Sequence, residues 1–464
     1  MSLTIDKLQQ LKLLSQQSQL DSDLVRDQIV SEIYKKSATI ADKVILKKPH
    51  KKLDLDTKLD DILTSRIFGY PIMLLLLGLV LWITVTGANY PSQLLAKIFF
   101  GGQEQLTVLF QYLNAPDWLH GILVLGVYRG LAWVVSVMLP PMAIFFPLFT
   151  FLEDLGYLPR VAFNLDRFFR KAGTHGKQAL TMSMGFGCNA AGVIACRIID
   201  SPREKLIAIL TNNFVPCNGR FPTLITIAAI FFGAAAGAIY STYIASLVVV
   251  GIVLVGIAVT LLTSYALSKT LLRGVPSTFT LELPPYRKPQ VMRVFIRSVY
   301  DRTIFVLKRA IVIAAPAGAI TWLMANIQIN GSSIIEILAG FLQPFGLALG
   351  LDGYIILAFI LGLPANEIVL PILIMSYLSQ GSMLELDSLA ALKNLLVANG
   401  WTWLTALNLL LFSLLHFPCA TTMLTIKKET GSLKWTALAF IIPTAIAILV
   451  TFTIAQMARL FGLL

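Results

Sequence analysis

Three of the four cysteines in this chain sit in settings suited to handling a metal ion. Residues 185–189 read G-F-G-C-N, and residues 362–366 read G-L-P-A-N, followed by Glu367. Downstream of each stretch comes a Pro-Cys pair, Pro216-Cys217 and Pro418-Cys419. Thiolates are soft ligands that favour late first-row metals, whereas Mg²⁺ and Ca²⁺ prefer sites made wholly of oxygen. Asn189, Asn366 and Glu367 add oxygen donors of the mixed kind that a weak, reversible site needs. The expected metal contacts are therefore Cys188, Cys217, Glu367 and Cys419, with Asn189 and Asn366 along the same path. His416 lies three residues before Cys419 and shares a helix face with it if the helix continues through Pro418; a structural histidine is the alternative. Arg220, within C-N-G-R-F-P, reads as a gate element that pairs with a carboxylate or snorkels to the interface. Cys196 reads as a small hydrophobe. No CxxC pair occurs, so a disulfide framework is not expected.

These residues need particular backbone around them. Gly185, Gly187 and Pro364 disfavour continuous helix. Unwound backbone in lipid leaves N–H and C=O groups unpaired, so it survives only inside protein or beside a water-filled cavity. For one motif alone, kinking and tight packing through glycine explain the pattern equally well. A second copy at matching spacing shifts the reading toward a site, because paired interruptions in two apolar halves point to a transporter's binding region. A carboxylate within an apolar span, as at Glu367, is costly and normally faces a pathway or a partner. Its alternatives are a protonated structural acid and a position at the membrane edge.

The elements that position these motifs are membrane helices. Hydrophobic residues make up 56% of the 464-residue chain and charged residues 13%, with mean hydropathy +0.75, too apolar for an ordinary soluble domain. Apolar runs of about 20 residues, enough to cross a bilayer as helix, recur from Phe68 onward. No apolar run opens the chain, so no cleavable secretion signal is expected. The net charge of +12 comes from basic clusters at Lys47–Lys58, Arg160–Lys177, Arg287–Arg309 and Lys427–Lys434. Membrane orientation by the positive-inside rule explains them, and no nucleic acid is expected as a partner. Residues 1–66 read as a cytoplasmic helical connector, 67–272 as a first membrane half, 273–309 as a basic linker with an amphipathic helix, and 310–464 as a second membrane half. Phe68–Tyr90 is the first span, Pro91–Asp117 is expected to lie along the outer interface, and Pro140-Pro141 is expected to break 119–151. Trp401–Ile426 is expected to cross as one span, and 380–400 is expected to be a polar loop. There is no G-x-x-x-x-G-K-[ST] phosphate loop, H-E-x-x-H or G-x-S-x-G, and no enzyme activity is expected.

Several ordered stretches resemble the membrane half of the bacterial ferrous iron transporter B family. They are G-F-G-C-N at 185–189 with Arg197 downstream, C-N-G-R-F-P at 217–222, L-E-L-P-P-Y-R at 281–287, the Glu367 segment, F-P-C-A-T-T at 417–422 and K-K-E-T-G-S-L-K-W at 427–435. The similarity runs from about residue 20 to the C-terminus. The apolar segments give an all-α polytopic fold of about eight transmembrane helices, and the resemblance implies that its broken or re-entrant helices form two inverted, nucleoside-permease-like Gate repeats. It also implies an iron path through the cysteines at 188, 217 and 419, with Fe²⁺ as transported substrate and no permanent cofactor. The family often has lysine where this chain has Asn366, and Ala190-Ala191-Gly192 is also atypical. Typical members begin with a GTPase domain. Here only the connector is recognised, which suggests a separately encoded small G-protein subunit, and the resemblance adds a small SH3-like accessory protein. The expected place is the bacterial inner membrane with a cytoplasmic N-terminus, and a homo-oligomer is compatible with it. Two other functions stay open: a permease for an organic solute such as a nucleoside, and a non-transporting Gate-repeat regulator.

Overall fold

Long apolar runs become helix because helix pairs every backbone polar group within its own segment, which lipid demands. The computed structural model describes residues 22–44, 55–65, 67–233, 241–274, 286, 290–379, 381–383 and 389–462. Residues 1–21, 45–54 and 66 of the expected connector lie outside them, as do all of the 281–287 motif except Tyr286 and part of the 380–400 segment.

The described helices, in order, are α1 (Ser22–Val44), α2 (Leu55–Leu63), α3 (Gly69–Tyr112), α4 (Asp117–Asp154), α5 (Tyr157–Lys171), α6 (Lys177–Gly187), α7 (Asn189–Ala195), α8 (Pro202–Thr211), α9 (Phe221–Gly233) and α10 (Ser241–Lys269). After them come α11 (291–326), a two-stranded hairpin at Gln328–Ile329 and Ser332–Ser333, α12 (Ile334–Ala348), α13 (Gly353–Leu361) and α14 (Asn366–Tyr377). The chain closes with α15 (Leu389–Ala398), α16 (Trp403–Leu415), α17 (Ala420–Thr430) and α18 (Leu433–Leu460).

Among the described residues, five helical stretches are long and apolar enough to cross a membrane: Gly69–Tyr112, Asp117–Asp154, Ile244–Lys269, Trp403–Thr430 and Leu433–Leu460. A sixth counts if α12 and α13, bent by 111°, form one broken span. This is a multi-pass helical membrane protein, and helix length alone does not yield the expected eight crossings.

Three local expectations are corrected. Pro91 does not end the first helix: α3 runs through it from Gly69 to Tyr112, 44 residues in all, about 66 Å at 1.5 Å per residue. Nor do Pro140 and Pro141 break α4, which runs through both and through Pro147. Each proline removes one helix hydrogen bond, but Phe145, Phe146 and Phe149 of the same helix are packed in a hydrophobic cluster that holds it in place. The expected loop at 380–400 contains the helix α15.

Packing joins the two halves. The largest hydrophobic cluster draws Phe214, Leu224 and Ile227 from the first half and Ile355, Ile368 and Leu410 from the second. Small residues let α4 and α11 touch backbone to backbone: a Cβ on Gly318 would lie 2.4 Å from the Gly126 carbonyl oxygen. Contacts of this kind hold membrane helices together where lipid offers no hydrophobic drive. A capping box of Ser333 and Glu336 starts α12. At the bend beyond it, Gly350 adopts φ +70° and Asn408 donates to the Leu349 carbonyl at 2.8 Å.

Candidate metal path

The two motifs fold as two matched breaks. Cys188 separates α6 from α7 in an extended conformation, φ −158° and ψ 126°. Ala365, which aligns with it, precedes Asn366 with φ −153° and ψ 123°. Each break frees a carbonyl, and the residue after the Pro-Cys pair of the same half pairs it. Asn218 N–H donates to Gly187 O at 3.4 Å, and Ala420 N–H donates to Leu363 O at 2.8 Å.

Glycine at the first break is a packing requirement. A Cβ on Gly187 would come 2.4 Å from the Phe145 ring. Cβ atoms on Gly185 and Gly192 would come 3.1 and 2.5 Å from the Asn212 amide. That amide donates to the Asn189 carbonyl at 3.0 Å, and the Asn189 side-chain amide lies 3.2 Å from Asn213 Oδ1. Asn212 and Asn213 were not expected in the site. Two adjacent amides inside an apolar run are the sequence signal that marks them, because polar groups at membrane depth need partners.

The Pro-Cys segments are also unwound. The α16 helix ends at Leu415 with His416 extended at ψ 176°, and α17 starts only at Ala420. The expected span over 401–426 remains one stretch able to cross a membrane, but its helix is interrupted between Leu415 and Ala420, so His416 and Cys419 do not share a helix face. Proline at 418 cannot donate to the preceding turn, and the ring nitrogen Nδ1 of His416 bonds back to the Phe412 and Ser413 carbonyls at 3.0 and 2.9 Å. The imidazole packs between Phe359 and Phe417, with ring centroids 4.8 and 4.9 Å away.

Among the described residues Arg220 pairs with no carboxylate, and, buried as it is, it does not snorkel. Fully buried, it donates from Nη1 to the carbonyls of Asn213 (2.9 Å) and Leu414 (2.7 Å). From Nη2 it reaches Asn213 Oδ1 (3.1 Å) and the carbonyls of His416 (3.4 Å) and Phe417 (3.2 Å). One guanidinium of the first half thus satisfies the unwound backbone of the second.

The breaks meet at one cavity of about 30 Å³, whose wall includes Cys188, Asn189, Cys217, Asn366, Glu367 and Cys419, together with Gly187 and Pro364. Asn366 Nδ2 approaches Cys217 Sγ at 3.7 Å across the two halves, and Cys419 Sγ lies 3.3 Å from Thr422 Oγ1. Gly219 faces Glu367 so closely that a Cβ there would sit 2.1 Å from the carboxylate. Gly185, Arg220 and His416 stand behind the wall. Cys196 is elsewhere, its thiol bonded to the Gly192 carbonyl at 3.3 Å. Met138 and Met142 also line the cavity; they flank Pro140-Pro141 on one face of α4 and add thioethers to the soft donor set. Among the described residues no group of three His, Cys, Asp or Glu side chains is placed to hold an ion by itself, so any ion here draws on amide, thioether and backbone donors too.

Away from the cavity, three segments are knotted together. Arg160 of α5 clasps Asp60 of α2 through Nε at 2.9 Å and Nη2 at 3.1 Å. Tyr286 donates to Asp60 at 2.7 Å, and its ring lies 4.1 Å from the Arg160 guanidinium. Hydrogen bonding to Arg160 holds the Asp60 carboxyl below the ordinary aspartate range. Arg197, in the turn after α7, forms a two-pronged pair with Glu429 at 2.8 and 2.6 Å, joining that turn to α17.

Comparison with known proteins agrees with this architecture. The Gate family, described as "Nucleoside recognition", matches residues 135–231 and 307–433. The family "Ferrous iron transport protein B C terminus" matches residues 249–301. A Fe(2+) transporter FeoB of Staphylococcus aureus (strain MSSA476) is 30% identical over 436 residues, covering 91% of this chain and 62% of that protein. One from Methanocaldococcus jannaschii is 28% identical over 446 residues, covering 93% of this chain and 63% of its own length. A Fe(2+) transport protein A/Fe(2+) transporter FeoB fusion protein of Porphyromonas gingivalis is 27% identical over 459 residues, covering 88% and 52%. The chain spans about three fifths of the length of the first two relatives. No solved structure matches it. With both Gate segments matched, the C-terminal family between them and FeoB relatives aligned along nearly its whole length, the chain belongs to the ferrous iron transporter B family and corresponds to its Gate-bearing membrane part.

Proposed function

We propose that this protein carries Fe²⁺ across the bacterial cytoplasmic membrane into the cell, through the cavity where the four unwound segments meet. One observation carries the reading: six donor side chains picked out by their chemistry surround a single space of about 30 Å³. A space that size exceeds the roughly 10–15 Å³ a water needs and falls far below the roughly 300–1,000 Å³ of small-molecule sites. A partly dehydrated ion fits it and a nucleoside does not, which disfavours the organic-solute reading. A purely regulatory role leaves Glu367 at the cavity without a use, at a cost that membrane insertion would not tolerate idly.

In this proposal Cys188, Cys217 and Cys419 supply sulfur, Glu367 supplies charge, and the Asn189 and Asn366 amides complete a mixed shell. Thiol coordination releases protons, so uptake rises with pH. The mixed shell keeps binding weak enough for release. Arg220, His416, Gly185, Gly187 and Pro364 hold the breaks open. The two Gate segments are inverted repeats, and the short broken helices bring the crossings to about eight. The chain itself catalyses no reaction. A G protein, with a small SH3-like accessory protein, acts on the connector from the cytoplasmic side, where the N-terminus lies. Its cycle shifts the gate only through different affinities for the open and closed states. The Asp60–Arg160–Tyr286 knot supports this route, since it ties the connector and the basic linker to α5, which leads into α6 and the first break.

The test is anaerobic Fe²⁺ uptake into proteoliposomes by the wild type and by Cys188→Ala. Saturable uptake that the substitution reduces at least about tenfold, and that excess nucleoside does not inhibit, supports the reading. Equal uptake by the two proteins, or inhibition by nucleoside, overturns the thiol-lined path.

A further inference from the structure

Two cavities meet beside α5 and differ wholly in character. The first, about 360 Å³, is lined almost entirely by apolar groups, from Tyr70, Leu77 and Val80 of α3 to Phe145 of α4 and Phe186 of α6. The second, about 850 Å³ and open, is lined by Arg167, Arg170 and Lys171 of α5 with Asp166 beside them. Tyr70 and Phe168 belong to both walls and meet edge to face with ring centroids 6.0 Å apart. Asp166 is engaged by Arg170 at 2.6 Å and accepts from the Gly176 N–H at 2.8 Å. Arg167 and Lys171 are exposed and make no ion pair among the described residues. Helix α5 buries Leu158, Val161, Ala162 and Phe169, with Arg160 turned inward to Asp60, while exposing Arg167, Arg170 and Lys171, the pattern of a helix lying in a membrane interface.

We propose that these joined cavities bind one anionic phospholipid, its phosphate at Arg167 and Lys171 and one acyl chain in the apolar cavity past Tyr70 and Phe168. Depth supports the fit. From Tyr70 to Val80 the wall follows ten residues of α3, about 15 Å of helix, or half of a roughly 30 Å hydrocarbon core. That is the reach of a chain in one leaflet. The volume also lies within the range of about 300–1,000 Å³ for small-ligand sites. Basic pockets between membrane helices recognise anionic headgroups in this manner. The acyl chain would press on Phe145 and Phe186. Phe145 packs where a Cβ on Gly187 would lie 2.4 Å away, so the lipid braces the end of α6 next to Cys188. This last consequence rests on the transport reading; the binding site does not.

The experiment is native mass spectrometry of the whole chain, delipidated in detergent and titrated with phosphatidylglycerol or phosphatidylcholine. One phosphatidylglycerol should be retained with a preference on the order of 30-fold, as two basic side chains near an anionic headgroup provide. Arg167→Ala with Lys171→Ala should abolish the preference. Leu77→Trp, which fills the apolar cavity, should abolish retention of both lipids, while Leu449→Trp on the exposed face of α18 should leave it intact. The surface charge variant keeps the test decisive should Leu77→Trp fail to fold. Equal retention of the two lipids by the wild type, or unchanged preference in the charge variant, overturns the site. Retention is read from mass, so a preparation that moves no iron still decides the question.

Discussion

The two breaks are nearly the same backbone device carrying different chemistry. Cys188 and Ala365 hold almost identical extended dihedrals, and in each half the residue after Pro-Cys pairs a carbonyl beside the break. Yet the first break places a thiol at the extended position, while the second places a methyl group there and puts its acid, Glu367, two residues later. The support is unequal as well. Arg220 spans from the first half to the carbonyls at 414, 416 and 417, whereas among the described residues the hydroxyl of Thr422, in the matching place after the second Pro-Cys pair, reaches only Cys419 of its own segment. The lesson is that a duplicated fold can share its geometry between two halves and divide its donors and its scaffolding.

That comparison is open to attack in order of expected effect. The largest follows from the clamp: Arg220→Met leaves several buried carbonyls unpaired, at about 1–3 kcal/mol each. The protein should lose at least about 3 kcal/mol of stability or fail to assemble, seen as a lowered melting temperature in detergent. Thr422→Val should cost less than about 1 kcal/mol, and equal losses from the two would erase the asymmetry. Next comes a transplant. Cys188→Ala should lower Fe²⁺ uptake by about 10- to 100-fold, and adding Ala365→Cys in the same protein should restore part of it. No recovery in a well-folded double variant would mean that the two extended positions are not interchangeable. A smaller effect is expected at Gly219, where the Ala variant drives a methyl against Glu367. Uptake should then fall about tenfold while stability changes little, and an unchanged uptake curve would place the acid outside the path.

The smallest effect lies at the connector. Arg160 holds the Asp60 carboxyl below its usual value, so the knot contributes fully above about pH 4, the ordinary aspartate pKa. It weakens as pH falls through the lower folded value. Asp60→Asn should reproduce the acid behaviour at neutral pH, with a stability loss of roughly 1 kcal/mol. Thermal melts at pH 7 and pH 3 check this: the wild type should approach the variant at pH 3, and parallel losses in both would contradict the ion-pair account.

Much of the candidate site is legible in the sequence because its donors are chemically conspicuous. Thiols, amides and one carboxylate inside apolar runs have few structural excuses, and the near-repeat of G-F-G-C-N and G-L-P-A-N marks where helix must stop. Met138 and Met142 escaped notice because a methionine in an apolar helix is indistinguishable by type from core filler. Proline misled in both directions. At 140 and 141 neighbouring packing carries the helix through, while before Cys419 the chain unwinds and turns His416 away from the thiol.

By itself, then, the sequence determined the solvent, the two halves and the stock of donors. Hydropathy follows from residue type, and a repeated motif needs no coordinates to be seen. Only tertiary structure decided which donors share a space, that Arg220 serves backbone rather than an acid, and that Tyr286 meets Asp60 across 226 residues of chain. Those outcomes depend on how separate helices pack against each other, and the order of residues along the chain does not encode that distance locally.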